Sequence, residues 1–174
     1  MEIPSVESFL SYFEGIRART SRVVACIPPD QIEWTHRPGA FTLGDLVRHI
    51  AATERYRFAE NVRGNPSRYP GHGRELANGY AAVLAFLERS HAEAMDIFRA
   101  LTPDDLARKC ATPAGTPITT WKWLRSMVEH EVHHRGQIYL MLGMLGVRTP
   151  PLYGLTSEQV RDRSLPVEDG LSLG

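Results

Sequence analysis

Apolar side chains recur every three or four positions in four long stretches, and Pro/Gly-rich segments separate those stretches. Phe9, Phe13, Ile16, Val23, Val24 and Ile27 mark the first stretch and predict a helix over 6–27, which Pro28-Pro29 ends. Thr42, with Asp45 three residues on, is a fitting N-cap for a second helix over 42–62; Gly64-Asn65-Pro66 stops it. Val83, Leu84, Leu87, Met95, Ile97 and Phe98 give a third over 74–101, weakened near its start by Gly79. Thr102-Pro103-Asp104-Asp105 closes it and opens a new capped turn. The segment 106–117 is too rich in Thr, Pro and Gly for a helix. The last helix spans 119–145, with Gly146 as its stop and Pro150-Pro151 preventing continuation. Little in the chain alternates as a strand does. The expectation is an all-α, up-down four-helix bundle over 1–150 with an irregular C-terminal tail over 151–174. That tail, with one short helical turn at 157–161, is expected to pack on the bundle or fray from it.

Composition adds limits rather than a function. With 174 residues and 43 % hydrophobic content, one domain with a sizeable core is the expectation. Twenty basic and 20 acidic residues cancel. A chain without a basic surplus lacks the footprint of nucleic-acid binding, and no basic segment suits an anionic membrane. No run of 18 apolar residues and no secretory leader is seen, so a cytoplasmic protein is expected. Two cysteines, Cys26 and Cys110, are too few for a disulfide scaffold and read as reduced thiols.

Histidine changes the picture. Three of the seven, His130, His133 and His134, fall within five residues. An i,i+4 pair on a helix puts His130 and His134 on one face, within reach of one metal ion. Met127, His130, His134, Ile138, Met141 and Leu145 follow the three/four rule, so the pair shares the stripe that faces the core. His133 is rotated by about 100° and points elsewhere. On the second helix, Leu46, His49, Ile50 and Thr53 form a matching stripe. In a bundle such stripes face one another, so His49 can complete a three-imidazole site with an open position. Imidazole suits Zn²⁺, Ni²⁺, Fe²⁺ and Cu²⁺ alike. His36 and His72 read as loop residues, and His91 as a solvated helix residue.

His130-Glu131-Val132-His133-His134 also spells H-E-x-x-H, in which the Glu is the general base of a metalloprotease. Arg135-Gly136-Gln137-Ile138 does not continue the metzincin form, and Glu158, the available later carboxylate, lies in the tail. A third His from another helix fits better. Glu131 remains a candidate catalytic base, or a group supporting the ligands, against the plainer reading of an exposed helix carboxylate.

The run His130 to Ile138, with its apolar continuation from Tyr139 to Gly146, resembles the signature helix of the DinB/YfiT-like family. Trp34, Arg37-Pro38-Gly39 and the run Phe41 to His49 resemble that family's entry into the second helix. The likeness covers about residues 4–148. It implies an up-down bundle, often homodimeric, with a divalent metal on His49, His130 and His134. Zinc or nickel comes first, iron or manganese next. It also implies a low-molecular-weight thiol cosubstrate such as bacillithiol, mycothiol or glutathione.

Three functions follow as expectations. The first is a metal-dependent thiol transferase acting on a small electrophile, with Glu54, Glu131, Gln137 and Tyr139 as helpers around the ligands. The second is a metal-dependent hydrolase with Glu131 as base. The third is a non-catalytic metal-binding or dimeric module. Trp121, Trp123, Leu124, Tyr139, Leu140, Leu142 and Met144 widen the apolar girth of the last helix. They point to a homodimer interface, or to cover by the tail.

Overall fold

The structure is a computed structural model and describes residues 3–164. Helix α1 (Val6–Val24) starts on a capping box in which Ser5 and Ser8 satisfy each other's backbone N–H groups. A short 3₁₀ turn at Pro29–Gln31 follows. Helix α2 begins as Leu43–Thr53 on the expected Thr42/Asp45 capping box. It passes through a π-helical turn, Glu54–Phe58, and ends as Ala59–Val62. Helix α3 (Tyr80–Arg99) starts later than expected, because Gly79 stands at φ 83°, outside helical space. The capped turn becomes a short α4 (Pro103–Ala107), with Thr102 and Asp105 as its capping box. Helix α5 (Thr120–Met144) ends in a Schellman turn: Val147 N–H donates to Leu142 O and Gly146 N–H to Gly143 O, with Gly146 at φ 71°. Helix α6 (Ser157–Arg163) lies in the tail.

One expectation is corrected here. Little strand is expected from the sequence, yet the non-helical stretch before the last helix contains a small antiparallel hairpin, β1 (Lys109–Ala111) with β2 (Pro117–Thr119), in which Cys110 pairs with Ile118. Strands of three residues are too short for alternation to show. The hairpin is held instead by its long-range setting: Thr120 N–H and Oγ1–H both donate to Arg108 O, and Cys110 is buried.

The long helices form an all-α four-helix bundle in which α1 and α2 each pack against both α3 and α5. Two core clusters fix the directions. One gathers Val23 and Val24 from the end of α1, Leu43 to Ala52 from the start of α2, Val83 to Leu87 from the start of α3, and Ile138 to Leu142 from the end of α5. The other gathers the opposite ends: Phe9 and Phe13, Phe58 to Val62, Met95 and Phe98, and Trp123 to Val128. The helices therefore run up, down, down, up, which corrects the alternating up-down order expected from the sequence: a short turn would have made α2 and α3 antiparallel, and they are parallel. The parallel course of α2 and α3 is made by the long Gly/Pro segment 63–79, which crosses the length of the bundle.

Helix α2 is pinned where the site needs it. The fully buried Arg48 pairs with Glu33 and Asp45 and donates from Nε to Ala77 O at 2.8 Å, tying the loops on both sides to the helix start. Gly44 lets the preceding loop close on the helix, since a Cβ there would meet Ile32 O at 2.9 Å. In the tail, Leu152 O accepts from Arg22, and Tyr153 lies under the Arg19 guanidinium. Residues 165–174 of the expected tail lie outside the described residues. On α5, Trp123, Leu124 and Leu142 are core residues, whereas Tyr139, Leu140 and Met144 are exposed. No helix among the described residues is long and apolar enough to cross a membrane.

Candidate metal centre

His49 from α2 and His130 and His134 from α5 meet in the groove between the two helices, all half-buried. Their Nε2 atoms converge: His49 to His130 at 3.0 Å and His134 to His130 at 3.2 Å. Metal–imidazole bonds of about 2.1 Å set ligand nitrogens about 3.0 Å apart at right angles and about 3.4 Å apart at tetrahedral angles. The observed separations lie between those limits. The three histidines could therefore hold a divalent metal with little rearrangement.

The protonation chemistry agrees. His134 Nδ1–H donates to Gln137 Oε1 at 2.6 Å, which leaves its Nε2 as a free lone pair. His49 Nδ1 lies 2.7 Å from Tyr69 OH, and that hydroxyl lies 3.1 Å from His72 Nδ1. Donation from His49 to Tyr69, and from Tyr69 to His72, again leaves the inner nitrogen unprotonated. Burial, then the neighbouring imidazoles His134 and His72 and the Arg57 charge, hold His49 down at about 4. Burial, His134, His49 and Arg57 take His130 to about 3. Burial lowers His134 too. All three are neutral at neutral pH, the form a metal requires.

Glu131 is elsewhere. A helix turns about 100° per residue, so the carboxylate next to His130 enters the bundle interior. There it accepts from Thr20 Oγ1 at 2.6 Å and pairs with Arg17 at 2.9 Å. Arg17 also pairs with Glu54, whose other oxygen meets His91 Nδ1 at 2.7 Å. All four long helices supply this ionic cluster. The readings of Glu131 as an exposed carboxylate and of His91 as a solvated helix residue are corrected: Glu131 is 2 % exposed, and His91 is half-buried against Phe13. Of the expected helpers, only Gln137 touches a ligand. Glu54 belongs to the ionic cluster, and Tyr139 faces the tail near Leu152 and Glu158.

Sequence reading missed Tyr69 and, as a contributor, His72. Both stand in the Gly/Pro crossover, held by Arg68 N–H donating to Tyr56 O at 2.7 Å. An aromatic and an imidazole among turn-formers were the only signals. Phe41 completes the wall, its ring centroid 4.1 Å from that of His72 at a tilt of 39° and edge-on to His49. Beside His134 an apolar groove of about 460 Å³ opens, walled by Phe41, Leu46, Leu140 and Met141, with Gln137 at its rim.

Comparison with known proteins places this site in context. YjoA of Bacillus subtilis (strain 168), an uncharacterized protein, is 25 % identical over 148 residues, covering 83 % of this chain and 93 % of its own. Its DinB-like structure matches with a TM-score of 0.69. YfiT from Bacillus subtilis, described as a probable metal-dependent hydrolase with an unusual four-helix bundle topology, matches with a TM-score of 0.65 and 20 % identity. That match covers 82 % of this chain and 89 % of YfiT. A mycothiol-dependent maleylpyruvate isomerase matches at 0.60 with 15 % identity, over 83 % of this chain and 62 % of the isomerase. At such identities the structural likeness concerns the fold. Residues 12–138, which contain all three converging histidines, match the family itself, and the chain belongs to the DinB superfamily.

Proposed function

We propose that the chain is a divalent-metal-dependent thiol transferase that joins a low-molecular-weight thiol to a small electrophile. The observation that carries this reading is the placement of three converging imidazole nitrogens at the lip of an apolar groove, with no carboxylate among the three candidate ligands. A metal bound there would supply Lewis acidity, favouring thiolate over thiol at neutral pH. His49, His130 and His134 would hold it, and Tyr69 and Gln137 would fix the first and last of those rings through their outer nitrogens. The groove walls of Phe41, Leu46 and Met141 would take the acceptor's apolar body and keep water from the reacting carbon. In the reaction the S–H bond breaks and its proton leaves to solvent. Sulfur then bonds to carbon as the carbon–halogen bond of an aryl halide, or one C–O bond of an epoxide, breaks; an epoxide oxygen takes a proton from water.

Hydrolysis, the activity attributed to YfiT, is supported less well here. It needs a base for the attacking water, and Glu131 is committed to Arg17 and Thr20. The test is a matrix of thiols against epoxide and aryl-halide acceptors, with metal-loaded and chelated protein. Turnover that needs metal and vanishes in His134→Ala supports transfer. Turnover that survives His134→Ala contradicts it, as does one stoichiometric metal with no thiol consumed.

A further inference from the structure

On the side of the triad away from the apolar groove lies a second recess, of about 480 Å³, with a different chemistry. Tyr69, whose hydroxyl touches His49, forms its inner wall. The β1–β2 turn at Thr112 to Ala114 forms its outer wall, and Arg57 and Trp123 complete it. Arg57 is half-buried and, among the described residues, has no carboxylate partner. Arg17, Arg48 and Arg55 each have two. Its Nε is buried without an acceptor, and so is the indole Nε1 of Trp123, a residue only 6 % exposed. The guanidinium carbon lies over the Phe58 ring at 4.9 Å and the Trp123 ring at 5.1 Å. Those ring faces stabilise the charge but accept none of its N–H bonds. Its charge reaches the triad, acting on both His49 and His130. A half-buried cation with unspent donors, facing an open recess, is costly unless something anionic completes it.

We propose that this recess is a carboxylate subsite for the small thiol, with Arg57 as the anchor and the Trp123 N–H as a second donor. The proposal rests on the thiol-transferase reading for the identity of the ligand, and on Arg57 and Trp123 alone for the anion. The two partners of the reaction then approach the triad from opposite sides. The thiol's carboxylate sits on the Arg57 side, and the apolar acceptor lies along Phe41 and Met141. The planar guanidinium suits a planar carboxylate.

The experiment uses calorimetry on zinc-loaded full-length protein with 3-mercaptopropionate and 2-mercaptoethanol, and on chelated protein with propionate. A charge-assisted hydrogen bond implies that 3-mercaptopropionate binds about ten-fold tighter than 2-mercaptoethanol. Arg57→Met removes that preference without altering zinc content or 2-mercaptoethanol affinity. Trp123→Phe, which keeps an aromatic side chain but removes the N–H, reduces the preference in part, so a fold defect in the first variant leaves a second readout. Equal affinities in the wild type, or a preference unchanged in Arg57→Met, overturn the subsite. Arg57-dependent propionate binding to chelated protein, with neither thiol binding the zinc form more tightly than the chelated form, upholds the subsite and removes the thiol reading.

Discussion

His130 and Glu131 are consecutive residues, yet they belong to two polar clusters with opposite designs. The histidine cluster draws on α2 and α5 only, is half-buried, and turns its lone pairs toward one another. The outer nitrogens of His49 and His134 are spent on Tyr69 and Gln137, so their inner nitrogens are held ready for a ligand. The ionic cluster draws on α1, α2, α3 and α5 and pairs its charges internally: Arg17 bridges Glu54 and Glu131 through one terminal nitrogen, while its Nε and other terminal nitrogen find no acceptor, and Thr20 and His91 stand at the ends. Removing a partner from the first leaves neutral rings. Removing one from the second leaves a charge stranded in the core. The contrast separates binding from stability within one turn of helix, and variants can test each half alone.

The largest effect expected is on metal content. His130→Ala should lower stoichiometric zinc to less than about a tenth per chain by elemental analysis, while the chelated protein melts close to the wild type. Arg17→Met should do the reverse. Metal stoichiometry stays at the wild-type value, while the stranded Glu54 and Glu131 carboxylates cost about 3 kcal/mol and lower the melting temperature by roughly 6–12 °C. Equal effects of the two variants on both readouts would erase the distinction.

Acid separates the clusters by sign. Unfolded imidazoles take up protons below 6.5, whereas folded His49 resists to about 4 and His130 to about 3. The unfolded state therefore binds more protons in that window. The triad's contribution is undiminished above pH 6.5 and is lost as the pH falls toward 4. Burial, opposed by Arg17 and reinforced by Glu54, raises the Glu131 carboxyl, so its contribution runs the other way and is lost as the pH rises. Melting of chelated protein should accordingly fall between pH 7 and 5. The fall should shrink when all three triad histidines are replaced by Gln. An identical fall in that variant would place the acid response elsewhere. The smallest effect is Gln137→Ala, which should weaken zinc binding about ten-fold by freeing the His134 ring, with no loss of stability. Unchanged affinity would mean that Gln137 orients nothing.

Much of this was legible in the sequence because the relevant signals are local. The stripe through Leu46, His49 and Ile50 and the one through Met127, His130 and His134 predict which faces meet, and they do meet. Thr42 with Asp45, and Gly146, mark real helix ends. What escaped depends on packing across elements. The π turn at Glu54–Phe58 has no sequence signature, yet within it Glu54 joins the ionic cluster while Arg57 lies over Phe58 and Trp123. The parallel course of α2 and α3 follows from how the long crossover is laid, not from helix spacing. His91 looks solvated in its own helix, and only Glu54, brought in from α2, makes it a partner. Glu131 matches a catalytic motif letter for letter, but the 100° step between neighbours decides its role, and that step points it at Arg17.

The most direct test of the account is X-ray absorption at the zinc K edge of protein loaded to saturation and freed of excess metal. The account predicts one zinc per chain with three imidazole nitrogens at about 2.0–2.1 Å and the remaining shell filled by light exchangeable ligands. A first shell of carboxylate oxygens or cysteine sulfur in place of the imidazoles, or no metal retained at all, would contradict it.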